Sequence, residues 1–251
     1  MRAIILAAGI GKRLLPHTEA LPKCLLPVGD RPLLARCLDA LAALGISEAV
    51  VVVGHRGEDV AALAAQAPTA LAVRIIRNTQ YASGSLLSLW HARYELEDEV
   101  LIVEGDVLYP RELLARVLAS PDANALAVDE KFQDTGEETK VVCEDGWVVE
   151  VTRRLGRDPR VRGEAVGILR LSAAAADVLQ DVLEEMVATG SDGADYEEAI
   201  RELAAEVPIG TIEVGDLPWL GIDREEDLVR ARQQIFPEVE RLDQGELVKP
   251  A

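Results

Sequence analysis

Short apolar runs alternate with longer amphipathic segments through the first half of the chain, and this alternation constrains the fold most. Five runs, at residues 2–7, 48–53, 73–77, 100–104 and 123–128, are apolar almost throughout, which is typical of strands covered on both faces. Between them, apolar residues recur at helical spacing in segments 31–44, 57–67, 85–96 and 110–119. The alternation predicts an α/β fold built on a mostly parallel, doubly wound sheet with helices on both faces.

The second half of the chain has a different rhythm and predicts a small antiparallel β insertion. Segments 140–144 and 147–155 flank the pair Asp145-Gly146, which is typical of a tight hairpin turn. A strand at 164–171, helices at 172–189 and 196–206, a strand at 209–213 and a closing helix at 225–236 follow. Residues 237–251 are polar without a clear period, so we predict a single domain over 1–236 and a loosely held tail.

The balance of charge excludes one broad class of partner. The chain has 26 Lys and Arg against 44 Asp and Glu, a formal net charge of −18. So acidic a surface repels phosphate backbones, which argues against nucleic-acid binding. No apolar run approaches the roughly 18 residues of a membrane span. The 3 cysteines lack a Cys-x-x-Cys spacing, so we expect a reducing, cytoplasmic setting without structural zinc.

A glycine-containing turn follows the first predicted strand, at the sheet edge where α/β proteins bind ligands. Glycine lets the backbone N–H groups approach a ligand closely, and the two cations that follow add positive charge in an acidic chain. The turn lacks the third glycine of a dinucleotide fingerprint and the Gly-Lys-Ser/Thr of a Walker loop. Taken alone, it is equally compatible with a purely structural turn. Its sequence is Leu6-Ala7-Ala8-Gly9-Ile10-Gly11-Lys12-Arg13-Leu14.

A second motif follows shortly after and strengthens the first. Lys23 stands between two prolines in Leu21-Pro22-Lys23-Cys24-Leu25-Leu26-Pro27-Val28, and the prolines restrict the backbone on both sides of it. Together the two motifs resemble the signature of the nucleoside-triphosphate transferase family, Leu-Ala-Ala-Gly-x-Gly-x-Arg-Leu followed by Pro-Lys-x-Leu-Leu-Pro-Val. The resemblance implies a Rossmann-like fold, with a nucleotide-binding part over about 1–128 and an acceptor-facing part over about 129–222.

The resemblance also implies roles for the residues of both motifs. The loop from Leu6 to Arg13 would hold the base, the ribose and the triphosphate. Arg13 would bind the β- and γ-phosphates, and Lys23 would stabilise the charge that grows on the α-phosphate. These roles agree with the chemistry, because phosphoryl and nucleotidyl transfer need in-line positioning and cations where charge develops.

Two aspartates are candidate ligands of Mg²⁺. Asp106 follows a predicted strand in Glu104-Gly105-Asp106, and Asp223 precedes the closing helix in Ile222-Asp223. Each also has a structural interpretation, Asp106 as a turn residue and Asp223 as a helix cap. Related transferases carry magnesium-binding aspartates in a strand-end Gly-Asp and in an Ile-Asp before the last helix. The resemblance therefore implies a Mg²⁺ cofactor, which suits two carboxylates plus substrate phosphates.

The segment 78–89 bears on which nucleotide is used. It lacks the glutamine-rich base motif of sugar-1-phosphate uridylyl- and thymidylyltransferases and resembles the corresponding segment of short cytidylyltransferases. Gly84 would allow close approach to the base of CTP. Ser83 or Ser85 is alternatively the N-cap of the helix that follows. The side chains expected to bind base or ribose are those of Tyr81, Ser83 and Ser85.

Candidate acceptor-binding residues lie in the second half of the chain. Asp195 and Tyr196 resemble an acidic-aromatic segment that faces the acceptor in short cytidylyltransferases, although acids in a first helical turn are also common. Glu164 lies on a strand expected near the same pocket. The positive charge toward the acceptor phosphate is assigned to one of three side chains, Lys140, Arg153 or Arg154.

We therefore predict a Mg²⁺-dependent cytidylyltransferase that acts on CTP and a small phosphate or phosphonate monoester, of the phosphocholine or aminoethylphosphonate type. Two alternatives stay open at this point. One is a sugar-1-phosphate nucleotidyltransferase that uses UTP or dTTP, and the other is a catalytically silent regulatory module of the same fold. The oligomeric state is left open, with a homodimer as one option.

Overall fold

The structure is a computed structural model, and it describes residues 1–136, 138–155 and 158–245. The strands are β1 (Arg2–Ala7), β2 (Pro27–Val28), β3 (Arg31–Pro32), β4 (Glu48–Val53), β5 (Ala72–Arg77), β6 (Val100–Glu104), β7 (Val107–Leu108), β8 (Ala125–Asp129), β9 (Lys140–Glu144), β10 (Trp147–Thr152), β11 (Val161–Leu171), β12 (Gly210–Glu213) and β13 (Leu220–Gly221). The α-helices are α1 (His17–Ala20), α2 (Leu33–Ala43), α3 (Gly57–Ala64), α4 (Leu86–His91), α5 (Arg111–Leu118), α6 (Ala173–Ala188), α7 (Tyr196–Glu206), α8 (Glu225–Arg230) and α9 (Phe236–Asp243).

One mixed sheet of 9 strands organises the part of the chain that is described. Its parallel half has the order β5-β4-β1-β6, and β11 then pairs antiparallel with β6. Beyond β11 the sheet continues on one path into the β9–β10 hairpin and on another into β8, with β12 parallel to β8. The predicted α/β fold, with a doubly wound sheet and an antiparallel insertion, is confirmed.

Two hydrophobic cores cover the two faces of this sheet. Side chains of a strand alternate between faces, so Ile5 packs with α2, α3 and α5, whereas its neighbour Ile4 packs with α4, α6 and α7. Both isoleucines are 0% exposed. Helices on both faces leave the carboxyl edge of β1, β4 and β6 as the place where the connecting loops gather. No helix of the described residues is long and apolar enough to cross a membrane.

A third, smaller core lies under the C-terminal helices. It joins Leu228 of α8 and Val239 of α9 to Leu26 and Leu108. The prediction of a loosely held tail is wrong for residues 237–243, because α9 packs here and the carboxylate of Asp243 accepts the backbone N–H of Arg111 at 2.8 Å. So short a helix buries too few apolar residues to show a period in sequence. The rest of the predicted tail, after Gly245, lies outside the described residues.

This third core makes a testable contribution to stability. We expect Val239→Ala to lower the free energy of unfolding by about 1–3 kcal/mol, because Val239 is 1% exposed and its removal leaves a cavity. Val229→Ala is the matched control, since Val229 is 44% exposed, and we expect a change below about 0.5 kcal/mol. Denaturant unfolding of both variants measures the difference. Equal stabilities would mean that α9 is not packed as described.

Candidate functional site

A cleft of about 380 Å³ opens beyond the carboxyl ends of β1 and β6. It brings together segments that are far apart in sequence, from the glycine turn to the start of α8. Most of the residues that the sequence analysis singled out line this cleft. They are Leu6, Ala8, Gly9, Gly11, Lys12, Arg13, Lys23, Tyr81, Ser83, Gly84, Ser85, Asp106, Arg153, Asp195, Tyr196 and Asp223.

Four residues of the sequence-based assignment are not among the lining residues. Ala7 ends β1 and packs into the core below the cleft. Lys140 is buried, and its ammonium is held by the carboxylate of Asp134 at 2.9 Å and by a backbone carbonyl. Arg154 and Glu164 also lie outside the cleft lining. Of the three cations considered for the acceptor side, the structure brings Arg153 to the cleft.

The glycine turn is shaped by its own backbone requirements. Gly11 has a φ of +67°, in the left-handed region that favours glycine, and a Cβ there would lie 3.0 Å from the Cγ2 atom of Thr18. The Thr18 hydroxyl donates to the carbonyl of Gly11 at 2.8 Å. This hydrogen bond joins the turn to α1. The two cations that follow the turn, Lys12 and Arg13, line the cleft.

A compact charge cluster lies at the centre of the cleft. The ammonium nitrogen of Lys23 is 2.6 Å from the Asp106 carboxylate and 2.6 Å from the Asp223 carboxylate. Arg13 approaches Asp223 at 3.6 Å. Burial alone would lower the pKa of Lys23, but the two carboxylates raise it above its usual value. Burial of Asp223 opposes the effect of Lys23, which holds the pKa of that carboxyl below its usual value.

The third core and a short strand pair hold this cluster together. β13 pairs with β7, and the backbone N–H of Ile222 donates to the carbonyl of Asp106 at 3.1 Å. The backbones that carry the two carboxylates are therefore hydrogen-bonded directly to each other. Each charged residue of the cluster also has a member of the third core within three positions in sequence, and these members are Leu14, Leu26, Leu108 and Ile222.

The two carboxylates that share Lys23 suit a hard divalent cation. Hard cations prefer oxygen ligands, and Mg²⁺ is usually held by one or two carboxylates together with substrate phosphates and water. Within residues 1–136, 138–155 and 158–245 there is no cluster of three or more His, Cys, Asp or Glu side chains that would form an all-protein metal site. Asp106 and Asp223 therefore fit a metal whose coordination is completed by its substrate.

Two glutamates that line the cleft were not found by sequence reasoning. Glu104 accepts a hydrogen bond from the Tyr196 hydroxyl at 2.5 Å, and burial together with Asp106 raises the pKa of Glu104 to about 8. Glu197 is 5% exposed, and its carboxylate accepts a hydrogen bond from the Arg153 guanidinium at 3.1 Å. The signal for Glu104 was present in Glu104-Gly105-Asp106, where only the aspartate was considered.

Ser88 also lines the cleft and was not predicted. It is 6% exposed, and its hydroxyl oxygen accepts the side-chain amide of buried Asn78 at 3.1 Å. The Asn78 backbone N–H in turn donates to Val53 at the end of β4. Ser88 is therefore held in place through a buried polar contact between α4 and the sheet.

Glu164 provides a pH test, although it lies outside the cleft. Burial, and then the carboxylates of Glu138 and Asp129, raise the pKa of Glu164 from 4.5 to about 7. Between these two values the unfolded chain loses its proton before the folded one, so this group lowers stability as pH rises. We expect Glu164→Gln to melt like the wild type at pH 4 and at a higher temperature at pH 8. A difference that is equal at both pH values would contradict the raised pKa.

Comparison with known proteins places the chain in a family. A model of the MobA-like NTP transferase domain matches residues 3–188. The chain belongs to this family. The resemblance to nucleoside-triphosphate transferases is thereby confirmed, and members of the family generally use a divalent metal.

Two curated proteins are similar to this chain over part of their length. CMP-5'-(3-aminopropyl)phosphonate synthase of Streptomyces rubellomurinus is 39% identical over 128 residues, which is 51% of this chain and 20% of that protein. The bifunctional IPC transferase and DIPP synthase of Rubrobacter xylanophilus is 31% identical over 238 residues, 93% of this chain and 52% of that protein. The chain thus spans about half or less of these curated relatives.

A solved structure supports the fold over nearly the whole chain. The inositol-1-phosphate CTP transferase from T. maritima superposes with a TM-score of 0.79 and covers 98% of each chain. The two sequences are 18% identical. At this identity the likeness establishes the common fold, and the chemistry has to be argued from the residues of the cleft.

Proposed function

We propose that the chain is a cytidylyltransferase that transfers CMP from CTP to a small phosphate or phosphonate monoester and releases pyrophosphate. The observation that carries this proposal is the charge cluster, in which Lys23 contacts Asp106 and Asp223 inside a cleft that is lined by the glycine turn and by the start of α7. The preference for CTP rests on the segment 78–89, which lacks the glutamine-rich base motif, and on relatives named CMP-5'-(3-aminopropyl)phosphonate synthase and choline-phosphate cytidylyltransferase.

In the proposed reaction, an acceptor phosphoryl oxygen attacks the α-phosphorus of CTP in line with the leaving group. A new oxygen–phosphorus bond forms, the bond to the β-phosphate oxygen breaks, and its electron pair leaves with pyrophosphate. The attacking oxygen is already anionic near neutral pH, so no general base is required. The Lys23 ammonium donates hydrogen bonds to the α-phosphate oxygens, where negative charge grows. The planar guanidinium of Arg13 binds the leaving pyrophosphate.

Mg²⁺ is the proposed cofactor, and Asp106 and Asp223 are the residues that would hold it. When bound, the ion would screen the repulsion between the two anions that meet in the cleft. The protein's own contribution is to hold both carboxylates next to the paired strands β7 and β13, so that neither has to be ordered on binding.

The acceptor is proposed to carry a cationic amine at the end remote from its phosphate or phosphonate. Arg153 would bind the anionic end, because its guanidinium is fixed by Glu197 at 3.1 Å and by the Thr139 hydroxyl at 2.9 Å. Asp195 would bind the cationic end. The hydrogen bond that its carboxylate accepts comes from the neutral hydroxyl of Ser85, which leaves the negative charge in place.

A release assay for pyrophosphate tests the proposal. CTP, UTP, ATP, GTP and dTTP are each combined with phosphocholine, 2-aminoethylphosphonate, inositol 1-phosphate and glucose 1-phosphate in the presence of Mg²⁺. We expect turnover with CTP and an amine-bearing acceptor. Turnover confined to UTP or dTTP with glucose 1-phosphate would establish the sugar-nucleotide alternative, and no turnover with any pair would indicate a silent module.

The setting of the enzyme is part of the same proposal. Cys24, Cys37 and Cys143 are all free thiols, and the first two are buried. Free thiols persist in a reducing compartment, so we propose that the enzyme acts in the cytoplasm on diffusible substrates.

A further inference from the structure

The first turn of α7 connects three parts of the cleft through three consecutive side chains. Asp195, which precedes the helix, meets Ser85 of the nucleotide side at 3.2 Å. The Tyr196 hydroxyl reaches Glu104 at the end of β6 at 2.5 Å. Glu197 holds Arg153 of the antiparallel insertion at 3.1 Å. The first turn of α7 therefore contacts three separate elements that line the cleft.

Ser85 has an unusual place in this arrangement. Its side chain makes no cap for its own helix, α4. Its hydroxyl oxygen instead accepts the backbone N–H of Tyr196 at 2.9 Å, and the same hydroxyl donates to the Asp195 carboxylate at 3.2 Å. A serine hydroxyl has a single proton to donate. Because that proton is directed to Asp195, it is not directed to a nucleotide.

Asp195 lies at the N-cap of α7, but its side chain does not cap this helix. It is the N-cap residue of α7, with φ −84° and ψ 151°, a conformation from which an aspartate usually caps its own helix. Its side chain nevertheless makes no cap bond. Ser85 supplies an oxygen to the first N–H of α7 from another element, and it holds the Asp195 carboxylate at the wall of the cleft.

The backbones of the two segments are packed too closely for Ser85 to move independently. The N–H of Leu86 donates to the carbonyl of Ala194 at 3.1 Å. A Cβ on Gly84 would lie 2.4 Å from that same carbonyl oxygen. Gly84, which the sequence analysis assigned to the base of the nucleotide, is thus required for the approach of residues 193–194.

From this geometry we propose that Ser85 is a positioning residue for the acceptor rather than a ligand of the nucleotide. It keeps the Asp195 carboxylate in the cleft, available to the cationic end of the acceptor, and prevents that carboxylate from turning back to cap α7. The inference rests on the proposed function, because it assigns a role within the acceptor side of that site.

Loss of the hydroxyl has a specific expected consequence. In Ser85→Ala the Asp195 carboxylate loses its donor, and the backbone N–H of Tyr196, which Ser85 no longer accepts, becomes an alternative partner at the start of α7. We expect the acceptor KM to rise about tenfold, the size of one hydrogen bond to a charged group. The nucleotide KM should stay within about twofold of the wild-type value. Ser85→Thr keeps a hydroxyl group, so its acceptor KM should be close to that of the wild type.

Steady-state kinetics of both substrates test this split, with Ser47→Ala as the control. Ser47 is an exposed serine at the start of β4, at the opposite edge of the sheet, and its variant should change neither KM. A rise in nucleotide KM that equals or exceeds the rise in acceptor KM would overturn the proposal. Thermal melting shows whether Ser85→Ala is folded. If it is not, Ser85→Cys takes its place, because a thiol donates weakly, and the same split is required of it.

A double-mutant cycle provides an independent measure. If Ser85 acts through Asp195, then Ser85→Ala should have little further effect on acceptor kcat/KM in an Asp195→Ala background. Additive effects of the two substitutions would overturn the proposal. Failure of the proposed function is a separate result, since it appears in the wild type as a different substrate pair or as no turnover. If the wild type uses a different nucleotide and acceptor, the acceptor KM and the nucleotide KM of Ser85→Ala are measured with those two substrates. If the wild type has no turnover, there is no acceptor to position, and the inference falls with the proposed function.

Discussion

Lys23→Ala is expected to lower the rate of pyrophosphate release at saturating substrates by about 10²–10³, the usual loss for one preorganised group that stabilises transition-state charge. The physical reason is the position of the ammonium, which two carboxylates hold at 2.6 Å each in a largely buried site. An ammonium fixed in this way needs no reorganisation when charge grows on the α-phosphate. Substrate KM values should change less than turnover does.

The surface lysine Lys131 supplies the matched control for this experiment. Lys131 forms an ion pair with Asp216 outside the cleft, and 66% of its side chain is exposed. Lys131→Ala should keep turnover within about twofold. Because Lys23→Ala leaves two carboxylates without their shared cation, its fold is checked by thermal melting. A folded Lys23→Ala protein with full turnover would show that Lys23 does not stabilise the transition state.

Asp106→Ala is expected to raise the Mg²⁺ concentration for half-maximal activity by at least about tenfold and to lower turnover strongly. One of the two carboxylates would be missing. Mutation of a group that only hydrogen-bonds a metal ligand already costs about 10–100-fold in metal affinity, so loss of a ligand itself should cost at least as much. Titration of activity with MgCl₂ at fixed CTP measures the shift. The substitution keeps the β7–β13 pairing, which runs through backbone groups.

Asp216→Ala is the corresponding control, because 94% of that side chain is exposed and its partner is Lys131. Its metal titration should overlay that of the wild type. If Asp106→Ala also gave an unchanged titration, Asp106 would not be a metal ligand, and its contact with Lys23 would be its only role in the cluster.

The two motifs of the nucleotide side could be predicted because their chemistry is contained in contiguous residues. Glycine at position 11 permits the left-handed backbone that the turn adopts, and Lys23 lies between prolines that shape the chain locally. The bounds of the strands β1, β4 and β6 were predicted to the residue for a similar reason. Their apolar runs report burial on both faces, which the layered fold imposes.

The acceptor side was harder to predict because its contacts join residues that are distant in the chain. Lys140 and Arg153 are both cations of the insertion, and sequence offered no means to tell which faces the cleft. In the structure Lys140 is buried against Asp134, whereas Arg153 is held at the cleft by Glu197. Ser85 was assigned to the nucleotide because of its place after Gly84, but its partners lie 110 residues away or more.

The sequence was sufficient to predict the α/β class, the glycine turn and the family signature, because any stretch of chain carries its own backbone chemistry and hydrophobic period. It was not sufficient to predict the partners of each charged side chain, because these partners depend on which sheet edges and helix ends meet in space. Asp106 and Asp223 are separated by more than a hundred residues, yet both contact the same ammonium, because β7 pairs with β13 and the N–H of Ile222 donates to the carbonyl of Asp106. Long-range strand pairing of this kind leaves no local pattern.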